Sequence, residues 1–263
     1  MNTKGNNNPI GVYDSGLGGL SVWRELHAKL PNESLTYLAD GANCPYGGRP
    51  KEEIRRFADE AVGALIADGA KMVVVACNTA TAAAIDFLRE KYANIPIVGM
   101  EPAVKPAAMA TRTGVVGVLA TAGSLGGDLF LRTSARYADR ARFIAAVGEG
   151  FVEIVEQSRE ATPEAVEAVR RVVEPLLAEG ADQIVLGCTH YPFLREVIEQ
   201  VIGEREVAVI DPAPAVARRV EQLLDQFNLR ATENNKAQYT FQTFASDDYL
   251  NRLKNKAFQI ISR

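Results

Sequence analysis

Two stretches constrain the fold of this chain more than any others: Val73-Val74-Val75-Ala76-Cys77-Asn78-Thr79 and Ile184-Val185-Leu186-Gly187-Cys188-Thr189-His190. Each is an apolar β-branched run, one small residue, a cysteine, and then polar side chains. A run of that kind between helical patterns reads as a strand buried on both faces of a parallel sheet. Its end emerges at the carboxyl edge, where open α/β folds hold their ligands. Cys77 and Cys188 are therefore expected at two similar strand ends. Two matched acid/base groups suit a reaction that is symmetric in its two directions, such as moving a proton from one face of a carbon to the other.

Strand-like and helix-like segments alternate along the rest of the chain. Strands are expected at 10–13, 34–38, 72–76, 97–100, 115–119, 142–147, 183–186 and 207–210. Helices are expected near 20–30, 51–68, 80–92, 103–111, 125–138, 151–179, 193–202 and 214–228, with a break where Thr162 caps a helix beginning at Pro163. The tail is strand-like over Gln238–Phe244, then gives a short helix and the apolar end Phe258–Ile261. Such alternation means parallel sheets with right-handed crossovers, an α/β fold.

Composition excludes several classes. With 263 residues the chain can form two α/β cores, and a formal net charge of -4 argues against nucleic acid as the main ligand. No apolar stretch reaches membrane-spanning length, and the polar start has no signal-peptide core. Three widely spaced cysteines give no disulfide framework, which fits a reducing cytoplasm. A zinc site built from Cys44, Cys77, Cys188 and His190 lacks the closely spaced ligand pairs of structural zinc, so no metal is expected. Cys44 reads as a loop thiol outside the chemistry, and His27 as solvent-facing.

The first strand runs into Asp14-Ser15-Gly16-Leu17-Gly18-Gly19. This is no dinucleotide fingerprint, since Ser21 stands where G-x-G-x-x-G needs glycine. Asp14 and Ser15 could receive an ammonium, hold a general base or cap the next helix. Pro45-Tyr46-Gly47 offers a phenol and close backbone approach at a loop tip, which suits a substrate cover or an ordinary turn. Thr121 and Ser124 could bind a carboxylate or start a helix. Each cysteine stands where a strand hands over to a helix, whose N–H groups favour a thiolate. Asn78, Thr79, Thr189 and His190 add donors and acceptors without bulk.

Taken in order, Asp14-Ser15-Gly16, Pro45-Tyr46-Gly47, Ala76-Cys77-Asn78-Thr79 and Gly187-Cys188-Thr189-His190-Tyr191-Pro192 resemble the glutamate racemases of the aspartate/glutamate racemase superfamily, over roughly residues 10–215. The resemblance implies two pseudo-symmetric α/β domains, 1–99 with 212–263 and 100–211, and a site in the cleft between them. It implies a cofactor-independent reaction in which Cys77 acts on D-glutamate and Cys188 on L-glutamate. Asp14 and His190 would assist the thiols, with Glu153 or Glu156 behind His190. Asp14, Ser15, Pro45, Tyr46, Gly47, Asn78, Thr79, Thr121, Ser124, Thr189 and His190 would hold the substrate. A homodimer and a role in supplying D-glutamate for peptidoglycan are implied in the same way.

The chain departs from the family at Gly148-Glu149, where Cys-Pro is usual, and at Ser124, often threonine. The aspartate branch commonly ends its second motif Cys-Thr-Glu, so His190 favours glutamate over aspartate or a hydantoin. A catalytically silent dicarboxylate-binding protein is the alternative from another class, and the two intact cysteines speak against it.

Overall fold

The computed structural model describes residues 5–262. Among them the strands are β1 Ile10–Asp14, β2 Leu35–Ala39, β3 Met72–Val75, β4 Ile97–Gly99, β5 Val115–Ala120, β6 Arg142–Val147, β7 Gln183–Gly187, β8 Ala208–Ile210 and β9 Tyr239–Thr243. They form two sheets, ordered β4-β3-β1-β2-β9 and β6-β5-β7-β8, and every pairing is parallel. The chain divides into two compact units: one runs up to Met100 and resumes at Ala213, and the other is Glu101–Pro212.

The two sheets share a winding. β1 is flanked by β2 and β3 with β4 outside β3, and β5 is flanked by β6 and β7 with β8 outside β7. In this order the connections reverse direction between β1 and β3, and again between β5 and β7. The carboxyl ends at such a reversal are where open α/β sheets form their crevice. Cys77 follows β3 and Cys188 follows β7, so the repeated motif marks the same position in both units.

The small residue ahead of the second thiol has a packing cause. A Cβ on Gly187 would lie 2.8 Å from the Ala120 Cβ and 2.9 Å from the Leu119 carbonyl oxygen. β1, β2, β3 and β7 are buried along their whole length, which explains why they are mostly apolar, whereas the edge strand β6 is largely half-exposed.

The helices fall close to the expected spans, and Thr162 accepts the Ala165 N–H at 3.3 Å as the cap of helix Pro163–Ala178. Two expectations are corrected. The tail ends in one helix, Asp247–Ile261, capped by Ser246, and Phe258 belongs to it. His27 is half-buried and stacked on Trp23 at 5.3 Å, with Tyr239 of β9 at 4.9 Å, so this aromatic cluster claims the ring. No helix among the described residues is long and apolar enough to cross a membrane.

Candidate active site

In the first unit Cys77 is buried and caps helix Asn78–Lys91, its sulfur accepting the Ala80 N–H at 3.4 Å. The Ser15 hydroxyl lies 3.6 Å from the same sulfur. Both contacts are worth more to a thiolate than to a thiol. Asp14, fully buried, accepts the Gly16 N–H at 2.8 Å and does not cap the next helix, whose N-cap is Gly19.

Gly19 is required by close approach. A Cβ there would stand 2.5 Å from the Asp14 Cβ and 2.7 Å from the Tyr37 hydroxyl, which itself donates to the Gly16 carbonyl. Gly19→Ala is therefore expected to displace Asp14. The overpacking should cost about 1–3 kcal/mol, with a further loss of turnover in the folded variant, read by denaturant melts beside initial rates.

Asn78 is buried, and its Oδ1 has no hydrogen-bond partner among the described residues. A buried acceptor left bare costs about 1–3 kcal/mol, so it marks a position where a donor is wanted. Thr79 is buried beside it. Tyr46 corrects the loop-tip reading: its ring is buried against Phe57, and its hydroxyl points inward to Asp40 at 2.5 Å and Tyr13 at 2.7 Å. The neighbouring Pro45 is exposed and Gly47 half-buried.

The second unit surrounds its thiol differently. After β7 the backbone turns through Cys188-Thr189-His190 into a 3-10 turn, Tyr191–Leu194, and an α-helix begins only at Arg195. The expected helix N-terminus at this thiol is thus replaced by a side chain, with Pro192 inside the turn. The Cys188 sulfur lies 3.8 Å from His190 Nδ1, and His190 Nε2 lies 2.7 Å from Glu156 Oε1. An ionised carboxylate only accepts, so opposite an ionised Glu156 Nε2 carries a proton; in the neutral tautomer Nδ1 then turns its lone pair to the thiol, and in the protonated ring it donates to a thiolate. The sulfur, imidazole and carboxylate stand in the order of a nucleophile–base–orienter chain.

Of the two acids left open by the sequence, the structure selects Glu156. Replacing it with glutamine is expected to slow turnover on the order of 10²-fold, the lower end of what a placed acid/base group contributes. Steady-state kinetics check this, with the circular dichroism spectrum unchanged.

Thr189 is buried beside Cys188. Thr121 and Ser124, at the end of β5, start the short helix Ala122–Leu125: their hydroxyls lie 2.9 Å apart, and Thr121 accepts the Ser124 N–H at 3.3 Å. Gly148 is dictated by Tyr191, since a Cβ would lie 2.6 Å from the Tyr191 hydroxyl and 2.6 Å from Phe151 Cδ2. Burial, and next the charge on Cys188, hold the Tyr191 phenol well above the ordinary tyrosine range. Cys44, Cys77 and Cys188 are free thiols, and Cys44 lies half-buried in the loop before Pro45.

A pair of thiols at equivalent strand ends, one with a histidine–carboxylate chain, is an arrangement for proton transfer. The Asp/Glu/Hydantoin racemase family model matches residues 17–220. The chain belongs to this family. Among its relatives, the glutamate racemase of Ectopseudomonas mendocina is 51% identical over 225 residues, covering 86% of this chain and 85% of the relative. That of Roseiflexus sp. is 49% identical over 226 residues, covering 86% of this chain and 83% of the relative. A glutamate racemase isoform from Bacillus anthracis superposes with TM-score 0.87 at 32% identity, covering 97% of this chain and 95% of that one. The Escherichia coli glutamate racemase, solved with L-glutamate and the activator UDP-MurNAc-Ala, gives TM-score 0.83 at 31% identity over 95% of each chain.

Tyr13, Asp40 and the choice of Glu156 are site features that the sequence reading missed or left open. A signal existed for Tyr13, since a phenol in an otherwise apolar buried strand needs a partner for its hydroxyl.

Proposed function

We propose that this family member interconverts L- and D-glutamate without a cofactor, by two-base proton transfer with one thiol from each unit. Cys77 takes the α-proton of D-glutamate while Cys188 delivers a proton to the opposite face, and the roles reverse for L-glutamate. The observation that carries this reading is the recurrence of a buried cysteine after β3 and after β7, each with its own polar partners.

The α-proton of an amino acid is weakly acidic, so the residues around it must stabilise the developing carbanion by preorganised donors. Asn78 Oδ1 is the acceptor that complements the substrate ammonium, with Asp14 as the buried anion of the same unit. Ser15, Thr79, Thr121, Ser124 and Thr189, with the backbone N–H groups of Tyr46 and Gly47, supply hydrogen bonds to the carboxylates, and Pro45 shapes the loop that presents them. His190, backed by Glu156, holds or returns the Cys188 proton.

Free thiols are the reactive form, which fits a cytoplasmic enzyme supplying D-glutamate for peptidoglycan. The same reading extends to a homodimer, which sedimentation checks. The test of function is loss of optical activity from L-glutamate, and separately from L-aspartate, with no pyridoxal phosphate added. Racemisation of glutamate alone supports the proposal; no racemisation of glutamate refutes it.

A further inference from the structure

The segment that brings Ser15 to the Cys77 sulfur is held by a residue that takes no part in the proton transfers above. Tyr37 stands in β2, level with Val12 of β1, and is fully buried. Its hydroxyl reaches past the end of β1 and donates to the Gly16 carbonyl at 2.7 Å. Its ring lies beside Phe241 of β9, with 6.4 Å between centroids.

Gly16 is thereby gripped at both of its backbone groups. Its N–H donates to Asp14 Oδ1 at 2.8 Å, and its carbonyl accepts from Tyr37. Ser15 lies between Asp14 and Gly16, so these bonds hold the backbone from which its side chain leaves. That side chain sets its hydroxyl 3.6 Å from the Cys77 sulfur, in a hydrogen bond. The packing leaves little play, since a Cβ on Gly19 would stand 2.7 Å from the Tyr37 hydroxyl and 2.5 Å from the Asp14 Cβ.

We propose that Tyr37 is a positioning residue for the Cys77 proton transfer: by holding Gly16 it keeps the Ser15 hydroxyl on the sulfur, where that hydroxyl stabilises the thiolate. The inference rests on the two-base reading above. A hydroxyl can donate to a thiolate, and a hydrogen bond to the charged form favours that form. The other donor at this sulfur, the Ala80 N–H, is fixed by the helix to which it belongs. Ser15 lies in the bend between β1 and the helix Leu20–Lys29, so its place depends on what grips the bend.

Tyr37→Phe tests this, because it keeps the ring in the core and removes the hydroxyl that holds Gly16. The titratable groups of these strand ends, Tyr13 and Asp14 on β1 and Asp40 after β2, are left as they are. Iodoacetamide reacts with the thiolate, so its rate against pH, read for each cysteine peptide by mass spectrometry in the resting enzyme, follows the ionisation of Cys77. The Cys77 profile is expected to move up by about one pH unit, the worth of one weakened hydrogen bond to a charged group. The Cys188 profile is expected to stay in place. Enantiomers are equal in free energy, so kcat/KM should fall equally for both, by about 3- to 10-fold.

Ser15→Ala is expected to move the Cys77 profile in the same direction. Tyr37→Phe added to it should move the profile no further, since both changes act on one hydrogen bond. A Cys77 profile unmoved in Tyr37→Phe, a Cys188 profile that moves with it, or a full further shift in the double variant overturns the proposal. If Tyr37→Phe does not fold, Ser15→Ala decides: a raised Cys77 profile supports the proposal and an unmoved one overturns it. Alkylation is read without substrate, so a failure of the two-base reading shows separately, as a wild-type enzyme that racemises neither enantiomer.

Discussion

Cys77→Ala and Cys188→Ala are each expected to abolish racemisation in both directions, with losses of at least ~10²- to 10⁴-fold, the worth of a positioned acid or base. In the proposed mechanism each direction needs one sulfur to take the proton and the other to supply one. Removing either therefore stops both reactions, although the missing group is the base in one and the acid in the other. The double variant should be hardly worse than either single one, since groups acting as a unit are strongly non-additive. Initial rates by circular dichroism with each enantiomer check this. A Cys188→Ala enzyme that racemises near the wild-type rate would require a one-base mechanism.

The largest stability effect is expected far from the thiols. Lys71 and Glu33 form a 2.5 Å ion pair with side chains 1% and 3% exposed. Lys71 also donates to the Asn6 carbonyl at 2.5 Å, and Glu33 Oε1 accepts the Ala231 N–H at 2.8 Å. The pair thus ties the start of β3 to the segments at both ends of the first unit. Burial lowers the Lys71 pKa although Glu33 opposes the shift, so burial disfavours the ammonium here and Glu33 offsets it. Glu33→Gln leaves that charge without its counter-ion and is expected to destabilise the protein by about 3–5 kcal/mol. The double variant Glu33→Gln/Lys71→Met removes the buried charge and should recover part of the loss. Denaturant midpoints decide: a double variant no more stable than Glu33→Gln contradicts an electrostatic origin.

The two-sheet fold and the thiols were legible in the sequence for definite reasons. Strands buried on both faces must be apolar throughout, so 73–75 and 184–186 announce themselves, and close packing of β7 on β5 demands Gly187 before Cys188. What escaped depends on contacts distant in sequence or on phase. Glu153 and Glu156 are three apart and share a helix face, so only the path of the 188–191 turn could choose between them. The delayed helix after Cys188 follows from that turn, which gives this thiol an imidazole where Cys77 has a helix N-terminus. Tyr46 reads as a surface turn until Asp40, six residues earlier, and Tyr13, 33 residues earlier, take its hydroxyl inward. His27 looks exposed by its helix pattern and is claimed by Tyr239 from a strand near the other end of the chain.

The two thiols thus occupy equivalent places with unlike surroundings, and the proposed two-base mechanism requires both. The most direct measurement is conversion of L-glutamate in D₂O, stopped early, with deuterium located in each enantiomer. Two bases on opposite faces require that the D-glutamate formed carry solvent deuterium at Cα while the remaining L-glutamate keeps its protium. Protium retained in the product, or deuterium entering the unreacted substrate as fast as product forms, would contradict the mechanism.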